Sequence, residues 1–288
     1  MTKVTREQIS QNKKFIDNFP VDFWEKKTDI LFKNIQQDPQ NEVLVNDIFM
    51  NRVHSMETLF RILIATNAFP VYLRETLSLM SIPKFRYELK LWHKQKTKKY
   101  FKDDNFRISF YPSPQKNLDE KPVIESLNII ESILDLLIEE FQERQLYNIL
   151  KHGFYALISK NVSISTKDSQ TNKIKQSSIS PFMLNFINYD LSKENSKVTV
   201  NNSSIAISYQ RETELTKWIS NILRMFFSHK QDVYDPSRIT SMYFFNKTHL
   251  KTFYKILDIT NYSDLISVSA KAETKLSERY MEWIKKVK

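Results

Sequence analysis

The stretch Tyr147–Gly153, Tyr-Asn-Ile-Leu-Lys-His-Gly, contains the only glycine among the 288 residues of the chain. A glycine placed just after a helix supplies the left-handed residue that ends the helix. The preceding residues show the three-four spacing of a helix with one buried side, beginning near Pro122. The sequence therefore predicts a long helix over Pro122–His152 that stops at Gly153.

The buried stripe of this predicted helix becomes polar in its last turns. Its apolar members are Leu127, Ile130, Leu134, Leu137 and Phe141. The same spacing continues to Arg144, Asn148 and Lys151, with His152 adjacent. Buried polar groups are costly unless they are paired or face a cleft, but cations near a helix C-terminus also interact favourably with the helix dipole. The cluster is therefore either a functional site or a helix cap.

A second long helix is predicted over Glu42–Asn67, because apolar residues recur there at helical spacing. A polar stripe on this helix includes Asn51, His54 and Glu57. A His and a carboxylate three residues apart share one helix face, but two ligands do not make a metal site. We expect these three residues to support the helix-end cluster or to face a partner helix, and we predict no metal.

Charge is unevenly distributed along the chain, whose net charge is +10. Lys84–Lys102 contains eight Lys or Arg against one Glu, and Asp119–Glu143 contains eight acidic residues against one Lys. The two blocks could neutralise each other within one fold, so the net charge alone does not predict nucleic-acid binding.

The basic block is interleaved with aromatic residues, a pattern that single-stranded nucleic-acid binding uses for phosphate contacts and base stacking. In the alternative interpretation the aromatic residues face the core and the lysines face water, which is usual for an amphipathic helix. We favour the core position for the aromatic residues. We predict that exposed lysines form a phosphate-binding surface, and the candidates are Lys94, Lys96, Lys98, Lys99 and Lys102.

The predicted fold is mainly α, a helical bundle with two long core helices and a small antiparallel β-sheet or hairpin insertion. The hairpin is expected from Lys197–Val200 and Ser204–Tyr209, joined by a turn at Asn201–Ser203. Three regions follow from this organisation. A helical region spans 1–153, a small β insertion spans 154–210, and C-terminal helices over 211–288 pack on the same domain.

Composition excludes several function classes. The chain has no cysteine, so disulfides, thiolate zinc sites and thiol catalysis are excluded. With one glycine, most phosphate-cradling loops are excluded as well, and we predict no cofactor. The apolar runs are too short to span a bilayer, and the polar N-terminus lacks a signal-peptide core. We therefore expect a cytoplasmic protein without a membrane partner.

The string Tyr147–Phe154 resembles the helix-end motif of the HEPN superfamily of small helical domains. The common form there is Arg-Asn, three residues, then His and often Gly. The helix that carries His54–Glu57 is similar to the companion helix in bacterial relatives, so the resemblance covers Asn41–Phe154. It implies metal-independent RNA cleavage, usually in a dimer, in a stress or phage-defence setting.

The match to this family is incomplete at one position. Asn148 and His152 fit the motif, whereas Tyr147 stands where the family usually has Arg, and the nearest upstream arginine is Arg144. Carried over to this chain, the resemblance implies that His152 acts as acid or base. It implies that Arg144 or Lys151 stabilises charge on the phosphate, and that Asn148 positions the phosphate or the imidazole.

Two function classes remain open at this point. The first is a HEPN-like, RNA-directed protein, either an active or a degenerate ribonuclease. The second is a non-enzymatic helical interaction or scaffold protein, in which the helix-end cluster is a cap. The partners implied are RNA or single-stranded nucleic acid, a second copy of the chain, or another protein.

Overall fold

The computed structural model describes residues 5–69, 72–101, 105–111, 120–143, 156–167, 174–192, 197–235, 243–258 and 270–275. These residues are mainly helical, which confirms the predicted class. The helices are α1 (Arg6–Asn18), α2 (Phe23–Gln37), α3 (Glu42–Ala68), α4 (Leu73–Leu79), α5 (Ile82–Tyr100), α6 (Asn105–Phe110), α7 (Glu120–Glu143), α8 (Tyr209–Tyr234) and α9 (Lys247–Asp258).

Side chains at the helix starts bind the backbone N–H groups that the first turn leaves without partners. Thr5 and Gln8 form a reciprocal capping box at the start of α1, with the Gln8 N–H donating to Thr5 Oγ1 at 3.2 Å. Asn41 accepts from the Leu44 N–H at the start of α3 at 3.2 Å. The Asn41 cap accounts for the start of α3 at Glu42, the residue at which the sequence predicts it.

Helix α3 lies at the centre of the core and is buried on nearly all sides. It packs against α2, α4, α5, α6, α7 and α8. The predicted contact between the two long helices is present, since the rings of Phe60 on α3 and Phe141 on α7 pack edge to face with centroids 5.4 Å apart. The more extensive partner of α3 is α8, and α7 packs mainly on α5. The core is therefore a bundle in which several helices surround α3, and not a pair of long helices packed on each other.

The strands are β1 (Ala156–Lys167), β2 (Ile174–Ser192), β3 (Lys197–Ala206) and β4 (Ala270–Lys275). They form one antiparallel sheet in the order β1-β2-β3-β4. The predicted hairpin is wrong, because Asn201–Ser203 lies inside β3, where Asn202 pairs with Ile187 of β2. Asn and Ser favour turns through local hydrogen bonds, but pairing of the whole of β3 with residues 183–192 of β2 outweighs that local preference. The C-terminal region predicted as helical, 211–288, includes the strand β4.

Candidate nucleic-acid interface

The predicted helix-end cluster, Arg144, Asn148, Lys151 and His152, lies outside the described residues, as do Gly153 and Lys102. The described part of the long predicted helix is α7, which ends at Glu143. The cluster therefore stays a prediction from the sequence.

The three polar residues predicted on α3 are described, and each contacts a neighbouring side chain or backbone group. Asn51 is buried and its Nδ2 donates to the Trp24 carbonyl at 2.9 Å and to Thr28 Oγ1 at 2.6 Å. His54 stacks on the Trp24 ring with centroids 6.2 Å apart. Glu57 accepts from Arg61 Nε at 2.8 Å. Asn51 and His54 thus join α3 to α2, and no described group of three or more His, Asp or Glu residues could hold a metal ion.

Helix α5 has two sharply different sides. Phe85, Leu89 and Trp92 are buried against the bundle. At 100° per residue, Tyr87, Lys90 and Lys94 lie on the opposite side, and all three are exposed, Tyr87 by 61%. We call Tyr87, Lys90 and Lys94 the outer face of α5.

Most of the aromatic residues in the basic block belong to the core. Trp92 and Tyr100 stack with ring centroids 5.2 Å apart and planes 3° from parallel. Phe85 and Phe101 are also buried. The preference for core positions is therefore correct for these four residues. Tyr87 differs from them because it is 61% exposed. Lys84 Nζ lies over its ring, 5.4 Å from the centroid, and a base could stack on the exposed part of the ring.

Helix α5 is interrupted at Lys96, whose backbone has φ 62° and ψ 163°. Positive φ is unfavourable for a residue with a side chain, so neighbouring contacts must hold this conformation. Asp135 of α7 accepts from the Thr97 N–H at 2.8 Å and from Thr97 Oγ1 at 2.6 Å. Trp92 Nε1 donates to the same Thr97 hydroxyl at 3.0 Å. These contacts therefore fix the position of the break, after which the last turn of α5 carries Lys98 and Lys99.

The acidic and basic blocks do neutralise each other in part, because α5 packs on α7. Lys96 forms an ion pair with Glu139, and Lys84 pairs with Glu88 within α5 at 2.6 Å. Burial, and then the charge of Asp135, raises the pKa of Glu131, while nearby Lys98 lowers it. These ion pairs do not involve Lys90 or Lys94, the two lysines of the outer face.

Four exposed lysines of α5 lie outside these ion pairs. Within the described part of the chain, no carboxylate forms an ion pair with any of them; they are Lys90, Lys94, Lys98 and Lys99. Of the predicted phosphate-binding lysines, Lys94, Lys98 and Lys99 therefore belong to this set, Lys96 is paired, and Lys90 is a member that the prediction omitted. Lys90 lies four residues before Lys94, and this spacing predicts that the two lysines share one face of the helix.

A second polar cluster, which the sequence does not reveal, lies between α3, α7 and α8. Arg52 on α3 pairs with Glu212 on α8, and Arg211 Nη1 is 3.3 Å from the same carboxylate. Arg211 Nη2 donates to Glu140 of α7 at 2.7 Å. This network ties the last described turn of α7 to the core. Because the charges are buried and each arginine contacts a glutamate of opposite charge, its geometry is that of a structural support.

Comparisons with models of protein families, with curated proteins and with solved structures found no match. Among the described helices, none has the length and apolar character that crossing a membrane requires.

Proposed function

We propose that the protein binds single-stranded nucleic acid, and specifically RNA, through the outer face of α5 and the adjoining Lys98–Lys99 turn. The observation that carries this proposal is the position of Tyr87 beside the exposed Lys90 and Lys94 on the side of α5 opposite its buried stripe. Lysines supply the charge that attracts a phosphate backbone, and an exposed ring supplies a stacking surface that accepts any base.

The rigidity of this surface supports the proposal. The inner side of α5 is fixed by Phe85, Leu89 and Trp92, and the break at Lys96 is fixed by hydrogen bonds to Asp135. The lysines are therefore presented from a preorganised scaffold, which reduces the ordering that binding would otherwise require.

Cleavage of the bound RNA is the finer part of the proposal, and it rests on the HEPN resemblance. His152 would exchange a proton with the ribose hydroxyl or the leaving oxygen, and Arg144 or Lys151 would stabilise negative charge on the phosphate. Asn148 would orient the phosphate or the imidazole.

The binding proposal is tested with a fluorescent single-stranded RNA, whose anisotropy is followed as protein is added at low salt. Lys90→Gln together with Lys94→Gln should weaken binding strongly and reduce its salt dependence, since each lost phosphate contact lowers the slope by about 0.7. Tyr87→Ala should weaken binding without changing that slope, because stacking releases no counterions. The matched control is Lys27→Gln together with Lys33→Gln, which removes two exposed positive charges from α2. Equal loss in this control would contradict a localised site.

The cleavage proposal needs a separate measurement on the same preparations. Wild-type protein should degrade a mixed RNA pool in the presence of a chelator, and His152→Ala should abolish that activity while RNA binding persists. Binding without cleavage would reduce the proposal to an RNA-binding protein.

The alternative of a protein-interaction scaffold is favoured by one specific feature, the apolar surface at the junction of α4 and α5. Leu79 is 82% exposed and Ile82 is 41% exposed, and exposed apolar side chains that lie together are typical of interaction surfaces. Failure of the wild type to bind RNA at low salt would favour this alternative.

A further inference from the structure

We infer that Glu139 of α7 competes with the phosphate groups of RNA for Lys96 and so limits the affinity of the α5 surface. This inference rests on the proposed RNA-binding function and adds an autoinhibitory contact to that same site. Lys96 is one of the lysines predicted to bind phosphate, yet in this structure it forms an ion pair with Glu139.

Glu139 belongs to a row of acidic residues on α7, the helix that packs against the basic helix α5. The row consists of Glu131, Asp135 and Glu139, and its spacing of four residues places all three on one face of the helix. Lys98 lies close enough to Glu131 to interact with its charge. The row therefore extends along both Lys96 and Lys98.

The members of this row act differently. Asp135 accepts both hydrogen bonds from Thr97 and holds the break in α5, so replacing it would disturb the fold of the turn. Glu139 instead contacts the charged end of Lys96, and these two side chains are 41% and 46% exposed. Because both reach solvent, a phosphate oxygen can replace the Glu139 carboxylate without opening the core.

The backbone at Lys96 makes this competition specific to one position. Positive φ at Lys96 interrupts α5, and the next residue, Thr97, is tied to α7. The ammonium group of Lys96 is therefore held beside α7, whereas Lys90 and Lys94 lie on the outer face, away from the buried stripe. Among the described residues, no carboxylate forms an ion pair with Lys90 or Lys94, so both can bind phosphate directly. Lys96 is already paired with Glu139.

The experiment compares Glu139→Gln with the matched control Glu125→Gln. Both substitutions remove one negative charge from α7, but residue 125 lies about 21 Å farther along the helix at 1.5 Å per residue. Anisotropy titrations with a single-stranded RNA are carried out at about 0.1 M salt, where the screening length of about 10 Å suppresses charge effects over that distance.

Glu139→Gln should tighten binding about two- to fivefold, the equivalent of one exposed ion pair. It should also steepen the salt dependence by about 0.7, because Lys96 becomes available for one further phosphate. Glu125→Gln should leave both quantities unchanged. In a Lys96→Gln background, Glu139→Gln should give no gain, which ties the effect to Lys96 and not to net charge.

The outcomes separate this inference from the function on which it rests. Equal affinity for Glu139→Gln and Glu125→Gln, with binding that still depends on Lys90 and Lys94, overturns the inference alone. A gain that persists in the Lys96→Gln background overturns it as well. Absence of RNA binding in the wild type and in Glu139→Gln overturns both the inference and the proposed function.

Discussion

Arg52 on α3 and Glu212 on α8 form an ion pair in which each side chain is only 1% exposed. The two residues are 160 positions apart in the chain, so the pair joins the helix at the centre of the core to its most extensive partner. Arg211, beside Glu212, extends the contact to Glu140 on α7. Two arginines and two glutamates thus connect three helices.

Glu212→Gln should destabilise the protein by about 3–5 kcal/mol, because it leaves the charges of Arg52 and Arg211 buried without their shared carboxylate. The free energy of unfolding is measured by urea denaturation. The control is Asp17→Asn in the exposed Lys13–Asp17 pair of α1, which should cost less than about 1 kcal/mol. Similar losses in the two variants would show that burial does not govern the strength of the Arg52–Glu212 contact.

Lys230 should make the protein more stable at alkaline pH. Burial lowers the pKa of Lys230 from 10.5 to about 8, and its Nζ donates to the Ile108 carbonyl at 3.0 Å. Between pH 8 and 10.5 the unfolded chain binds more protons at this residue than the folded chain does. The contribution of Lys230 to the free energy of unfolding therefore rises with pH in that window, by up to roughly 3 kcal/mol.

Lys230→Met should remove this rise and should stabilise the protein at pH 7. Burial raises the pKa of Tyr111 to about 12, which acts in the opposite direction above pH 10, so the difference between variant and wild type is the quantity to compare. Lys94→Met, which changes an exposed lysine, is the control. A difference between Lys230→Met and wild type that stays constant from pH 7 to 10 would contradict the prediction.

His229 should make the protein less stable in acid. Burial, followed by the charge of Lys230, lowers the pKa of His229 from 6.5 to about 4. Between these two values the unfolded chain binds the extra proton, so stability contributed by the neutral imidazole is present above pH 6.5 and is lost as pH falls to about 4. His229→Phe should flatten this part of the pH profile, measured by thermal unfolding from pH 4 to 7. A wild-type profile that remains parallel to that of the variant would contradict this assignment.

The long helices could be predicted because their signals are local. Apolar spacing marks the buried sides of α3 and α7, and Asn41 and Thr5 cap helix starts through residues only three positions away. The Asn201–Ser203 turn was predicted from equally local evidence and is wrong, because strand pairing with β2 decides that region. Local patterns thus succeed where no distant segment competes with them.

The features that position the candidate site depend on distant partners. Nothing in the sequence around Lys96 predicts positive φ; the conformation is held by Asp135, which lies 38 residues away from Thr97. The pairing of Lys96 with Glu139 likewise depends on a residue of α7 that is distant in the sequence. Equal and opposite charge blocks indicate that neutralisation can occur, but they do not identify which lysines stay exposed. That assignment requires the packing of α5 on α7.

The backbone at Lys96 gives the final prediction, a reversal in the usual order of glycine and alanine. In an ordinary helix position glycine is less stable than alanine by about 1 kcal/mol. At φ 62° and ψ 163° a side chain instead adds strain of about 1–3 kcal/mol. Lys96→Gly should therefore be more stable than Lys96→Ala, while both variants lose the ion pair with Glu139 equally. The matched comparison is Lys94→Gly against Lys94→Ala two residues earlier in α5, where alanine should be the more stable. Urea midpoints of these four variants measure the two differences, and the same sign at both positions would show that Lys96 is not strained.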